Sequence, residues 1–324
     1  MKCTLKDVAA RCRMDLSTVS RALRDDSRVK PGTIKKIKKI ASSMGYQPNL
    51  AARSLAAGRT GTIWFLLNSL NNPVEKDPAV SAGKKLLALD YDFLIALHQG
   101  ERKIYRRLLG RLRQGVADGA VIIPSLQEAD DSFEALRKAG VPFVFLDRYL
   151  TNVMAPVVGT DSHACVKLLI EKAMNEGISS FVVIGSEHNP VARTRRDSAL
   201  EILKASGKDF VYIDEFSISG NPACTHLEGD ICIMATNQGS VLSFIHDNKE
   251  LIMPGRRIVF SVFDMWVGEP NPAEKVFVCL QDFEKMAEKS VDVLLEIING
   301  KRRMEREFFL FPAKEILVLE KKFT

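Results

Sequence analysis

From Thr62 to Phe263, short apolar runs alternate with amphipathic helical segments, and this alternation limits the folds open to the chain more than any other feature. The runs are Ile63 to Leu67, Phe93 to Leu97, Ala120 to Ile123 and Phe143 to Leu146, with helices expected near 79–89, 101–114 and 130–139. The pattern then restarts with Phe181 to Ile184, Val211 to Ile213, Ile231 to Met234 and Ile258 to Phe263. Apolar runs set between helices call for parallel strands covered on both faces. The restart predicts two α/β lobes, and open sheets of this kind bind ligands at the carboxyl ends of their strands.

The first sixty residues read differently. They hold 14 Lys and Arg against 4 Asp, whereas the rest of the chain holds 32 basic against 36 acidic residues. A strongly basic head on a mildly acidic body fits a phosphate-binding module joined to something else. Thr4 is placed to cap a first helix, with Asp7 three residues on and Leu5, Val8, Ala9 and Cys12 on one face. Asp15 or Ser17 is placed to cap a second helix through Leu23, with Val19, Ala22 and Leu23 facing the first. Pro31 opens a third, carrying Ile34, Ile37, Ile40, Ala41 and Met44 on one stripe and Lys35, Lys36, Lys38 and Lys39 opposite, closed by Gly45. Two short helices joined by a tight turn have helix-turn-helix geometry, in which the second enters the major groove.

Four blocks carry a resemblance: Thr4 to Ala9, Ser17 to Leu23, Met44 to Asn49 and Ala52 to Leu55. In order and spacing they resemble the lactose-repressor (LacI/GalR) family of bacterial transcription regulators. The resemblance implies an all-α helix-turn-helix head at 1–48, a hinge at 49–60, and at 61–324 a two-lobed periplasmic-binding-protein-like core of parallel sheets with helices on both faces. The first lobe is expected at about 61–159 and 284–314, the second at about 160–283 and 315–324. It implies base contacts from Leu16, Ser17, Thr18, Ser20 and Arg21. Arg offers a bidentate fork to guanine, Ser pairs with several bases and Leu meets a thymine methyl, although a core role for Leu16 stays open. Phosphate contacts are implied for Thr4, Arg24, Arg28, Lys30, Thr33 and Asn49, and a minor-groove hinge at Ala52 and Leu55, whose leucine would wedge a base step. Arg24 stands where the family usually has Asn, and Arg13 and Asp15 replace the small Gly and Ser expected in the turn.

For the core, the resemblance implies effector contacts from Asn68, Asp147, Arg195, Asn237 and Asp264. Converging carboxylates, amides and guanidinium suit a hydroxyl-rich small molecule such as a sugar. The chain departs from the family in several places. Val74 and Glu75 replace an aromatic pair after an Asn-Pro, Trp64 stands at a usual glycine, Ser198 and Ala199 replace Gly-aromatic, and Gln238 follows Asn237. Residues Asp214 to Asp230 also lack a helical pattern where a helix is expected. The function expected is a repressor of transcription gated by such an effector; the alternative is a regulator of the same fold whose ligand has been lost or changed, gated by another effector or a partner protein. A homodimer on a palindromic double-stranded operator is implied, since one hinge leucine cannot form a paired wedge.

Catalysis is not expected. No G-x-S-x-G, H-E-x-x-H, Walker A or G-x-G-x-x-G motif occurs, and the histidines at 98, 163, 188, 226 and 246 are scattered. The six cysteines at 3, 12, 165, 224, 232 and 279 form no C-x-x-C pair, so free thiols and neither metal nor cofactor are expected. The opening MKCTLKDVAARC has no apolar stretch and no later run approaches membrane-spanning length, so a cytoplasmic protein without membrane contact is expected.

Overall fold

A computed structural model describes residues 3–47, 58–124, 131–187, 189–218, 227–236, 238–248, 255–264, 266 and 273–320. The chain divides into two compact units, residues 1–60 and 61–324.

In the first unit, α1 (Leu5–Cys12), α2 (Leu16–Ala22) and α3 (Pro31–Ser43) enclose Val8, Ala9, Cys12, Val19, Ala22, Val29, Ile37 and Ala41. Thr4 and Asp7 form a full capping box on α1: Thr4 N–H donates to Asp7 Oδ2 at 2.8 Å, and Asp7 N–H donates to Thr4 Oγ1 at 3.4 Å. Of the two candidate caps for α2, Asp15 is the cap. Its Oδ1 accepts from Thr18 N–H at 2.8 Å and also from the Ser17 hydroxyl at 2.6 Å. Arg13 ends α1 at φ 54, a left-handed conformation that explains why a small residue suits this turn. Pro31 opens α3, and Gly45 at φ 62 closes it.

The second unit holds two six-stranded sheets. The first contains β1 (Thr62–Leu67), β2 (Asp92–Leu97), β3 (Gly119–Ile122), β4 (Phe143–Leu146), β5 (Val157–Thr160) and β11 (Phe308–Phe311), in the spatial order β11-β5-β4-β3-β1-β2. The second contains β6 (Ser180–Gly185), β7 (Asp209–Asp214), β8 (Ile231–Ala235), β9 (Ile258–Phe263), β10 (Lys275–Gln281) and β12 (Ala313–Glu320), in the order β12-β10-β9-β8-β6-β7. All pairings are parallel except β12 on β10, which is antiparallel. Helices α4 (Pro73–Ala88), α5 (Arg102–Arg113) and α6 (Asp131–Lys138) belong to the first lobe, and α7 (Ser162–Asn175), α8 (Pro190–Ala205) and α9 (Gln238–Asp247) to the second.

The chain crosses between lobes three times. It leaves β5 for α7 at Asp161 and leaves β10 for α10 (Phe283–Ile298), whose Met286, Ala287, Val291 and Leu294 join the first-lobe core. It passes from β11 to β12 at Pro312.

Helix α4 begins six residues earlier than its sequence pattern indicated. Asn72 Oδ1 accepts from Val74 N–H at 3.1 Å and Pro73 fills the first turn, so capping outweighs the interior Pro78. Gly83 is required where α4 meets β2, because a Cβ there would lie 2.9 Å from the Phe93 ring. Trp64, at a position where glycine is usual, fills the core under α5 and α6. The second sheet has as many strands as the first, so the stretch after Asp214 shortens no sheet; residues 215–218 and 227–230 carry no helix, and 219–226 lie outside the described residues.

Candidate functional site

The exposed side of α2 collects the residues expected to read bases. Leu16 is 44% exposed, too open for a core leucine, and Ser17 is exposed beside it. Thr18, Ser20 and Arg21 are half-buried, while Val19 between them is fully inside. Several expected phosphate contacts already hold local partners. Arg28 forks onto Asp26 at 2.9 and 2.6 Å, the Arg24 Nε donates to the Ser20 carbonyl at 3.2 Å, and the Thr4 hydroxyl donates to Asp7 Oδ2 at 2.7 Å. The Arg28 pair lies on the surface, where such pairs are worth little and exchange readily for phosphate. Lys30 is exposed at the start of α3 and Thr33 is half-buried in its first turn. Asn49, Ala52 and Leu55 lie outside the described residues.

In the core, a cavity of about 340 Å³ opens between the carboxyl ends of the two sheets. That size is near the lower end for small-ligand pockets, which run from about 300 to 1,000 Å³. Asp147, Arg195 and Asp264 line it together, with Arg148, Glu215, Thr236 and Gln281. Asn68 is not among the lining residues. Its backbone N–H is held by Glu75 Oε2 at 2.6 Å and its side-chain oxygen lies beside Gly100. Asn237 lies outside the described residues.

Asp147 and Asp264 occupy equivalent places, each following the fourth strand of its lobe, and each adopts a left-handed backbone at φ 62 and φ 76. Such conformations cost about 1–3 kcal/mol in non-glycine residues and persist where the surroundings enforce them. Burial pushes the Asp264 carboxyl up to about 6; Arg195 pulls it down, Asp147 pushes it further up, and a hydrogen bond from the Gln281 amide pulls it down. Arg195 is 7% exposed, with its guanidinium carbon 3.7 Å above the Phe263 ring and Nη1 donating to the Thr236 carbonyl at 3.4 Å. Its Nε has no partner among the described residues. A buried donor left unmade costs about 1–3 kcal/mol, which a ligand acceptor would recover.

Comparison with known proteins bears on both units. Residues 4–49 match the family model described as bacterial regulatory proteins, lacI family. The head is a lacI-family domain. The ribose operon repressor of Bacillus subtilis (strain 168) is 31% identical to this chain over 218 residues, 67% of this chain and 65% of that protein. The chain thus matches slightly less than two thirds of that relative's length. A lac repressor dimer bound to operator and the anti-inducer ONPF superposes with TM-score 0.74 at 18% identity, covering 99% of each chain. The transcriptional regulator CelR in complex with cellobiose superposes with TM-score 0.63 at 21% identity, covering 98% of each. These structures share the fold of this chain from head to second lobe.

Sequence reasoning missed one signal of the cavity. Asn72-Pro73-Val74 and Asn189-Pro190-Val191 repeat across the lobes, and each Asn caps its helix and lines the cavity with its Val. The repeat is visible in the sequence and would have located both rims. Glu215 was passed over inside a stretch read as irregular, and Gln281 ends a strand that no short pattern revealed. Ser198 and Ala199 face away from the cavity: Ala199 sits in the second-lobe core and the Ser198 hydroxyl meets His163 Nδ1 at 3.3 Å.

Proposed function

We propose that this chain is a lacI-family, sequence-specific DNA-binding repressor of transcription, acting in the cytoplasm as a homodimer and gated by a small hydroxyl-rich effector such as a sugar. The observation that carries the reading is the head: a capped α1, a tight turn and an α2 that keeps only Val19 and Ala22 inside while offering Leu16, Ser17 and Arg21 outward. Leu16, Ser17, Thr18, Ser20 and Arg21 meet base edges. Thr4, Arg24, Arg28, Lys30, Thr33 and Asn49 meet phosphates, and Ala52 and Leu55 meet the minor groove.

The effector reading rests on Asp147, Arg195 and Asp264 lining one cavity, and on the Arg195 Nε, which has no partner among the described residues and which an incoming acceptor would satisfy. That relatives and structural neighbours are regulators, one of them holding cellobiose, supports it further. Pairing of two copies is supported by apolar side chains left in the open around edge strand β2, with Val80 and Leu87 on α4 and Leu94 and Ile95 on β2 itself.

The test is a fluorescence-anisotropy titration on sites selected from random DNA. Arg21→Ala is expected to weaken the selected site by about 1–3 kcal/mol and to relax preference at one base pair, with bulk-DNA binding little changed. Equal loss on selected and bulk DNA would move Arg21 from base reading to general charge.

A further inference from the structure

We infer that the cavity is built to reject anions, so that the effector is a sugar or similar polyol carrying no phosphate or carboxylate, and that Glu75 sets this preference by holding Arg148. The inference rests on the effector reading above and specifies its ligand.

Glu75 is 1% exposed and lies behind the cavity wall on α4. Its Oε2 accepts from the backbone N–H groups of Asn68 and Ser69 at 2.6 and 3.0 Å, and its Oε1 accepts from Arg148 Nη2 at 3.0 Å. Arg148 Nε lies 3.4 Å from Asp147 Oδ2. The guanidinium is therefore shared by two carboxylates of its own lobe. A phosphate would have to strip it from both.

The second cation is held in place, with Arg195 stacked on Phe263 and bonded to the Thr236 carbonyl, and its Nε is left for a single acceptor such as a sugar oxygen. Against these two guanidiniums stand three carboxylates in the lining, Asp147, Glu215 and Asp264, with Glu75 as a fourth behind them. A desolvated negative surplus repels an anion far more strongly than it would in bulk water.

Helix N-termini are the usual source of backbone donors for phosphate, and the starts of α4 and α8, which both line the cavity, have theirs taken among the described residues. On α4, Val74 N–H is taken by the Asn72 side chain, and the N–H groups of Glu75 and Lys76 by the Asn72 carbonyl. On α8, Val191 and Ala192 N–H are taken by the Asn189 side chain and Arg193 N–H by the Asn189 carbonyl. What the cavity offers in surplus is acceptor oxygen, which hydroxyl donors satisfy.

The experiment is isothermal titration calorimetry of the full chain at pH 7 with D-ribose, D-glucose and D-fructose, each beside its phosphate ester: ribose 5-phosphate, glucose 6-phosphate and fructose 1-phosphate. At least one parent sugar is expected to bind, with its ester at least tenfold weaker. Glu75→Gln, which keeps the side chain's size and its acceptor oxygen, is expected to narrow that gap several-fold. Because Glu75→Gln also loosens a buried network, a second measurement needs no variant: the wild-type gap between D-glucose and glucose 6-sulfate, an ester whose charge does not change in this range, is expected to shrink from pH 7 to pH 5 as Asp264 takes up its proton. An ester binding as tightly as its parent overturns the inference while leaving the effector reading intact. A gap that ignores both pH and Glu75→Gln removes Glu75 and its neighbours as its cause. No heat from any of the six compounds overturns the sugar-gated reading itself, and this inference with it.

Discussion

Asp264 concentrates the core's electrostatics in one side chain. Its folded value of about 6 stands above the ordinary carboxylate value near 4, so the folded empty protein holds this proton more tightly than the unfolded chain. The contribution to stability is accordingly largest below about pH 4, and is lost as pH rises to about 6, by on the order of 3 kcal/mol. Asp264→Asn removes this loss. Thermal unfolding of the empty protein is expected to show the variant gaining stability over wild type from pH 4 to 6.5, with sugar binding weakened at pH 7; curves that stay parallel across this range would mean that the carboxyl ionises freely. Asp147 and Asp264, which follow strands, and Arg195, which stands within α8, were legible through the family resemblance. Glu75 was legible only as a departure from the family's aromatic pair, because the sequence shows the substitution but not the Arg148 seventy-three positions away that accounts for it.

At the scale of elements, caps and helical stripes were readable because their causes are local. Thr4 with Asp7, Asp15 with Thr18, and Pro31 with Gly45 lie within a few turns of one another, and the helices form where those residues stand. Gly45→Ala places a Cβ at φ 62, a change that costs about 1–2 kcal/mol in the head. Hydrogen exchange is expected to accelerate at least about fivefold in α1 to α3 and not in the two sheets. Acceleration in both units would show that they unfold together. Strands β5, β10, β11 and β12 escaped the sequence pattern for a different reason. β11 alternates exposed and half-buried positions and β12 is mostly exposed; they take their partners from β5 and β10, which lie far away in the chain, and β12 even runs opposite to the rest.

For the whole molecule, the proposal couples an effector in the core to DNA on the head. Coupling of this kind is reciprocal: whatever factor the sugar imposes on operator affinity, the operator must impose on sugar affinity. Factors of about 5 to 150 are usual. Anisotropy of labelled operator with and without the binding sugar, and calorimetry of the sugar with and without operator, are expected to return the same factor. A sugar that binds in the core and leaves operator affinity unchanged would separate the cavity from regulation.

The sequence by itself determined the basic three-helix head, the inward face of α2 and the two-lobed α/β plan, since all three follow from charge, capping and periodicity over short spans, while the base-reading residues of α2 came from the family resemblance. Tertiary structure decided the cavity. It placed Asp147 beside Asp264, gave Arg148 to Glu75, left Asn68 out of the lining and brought in Glu215 and Gln281. Those choices depend on where strand ends from two sheets converge, and on three chain crossings between lobes, neither of which leaves a periodic mark on the chain.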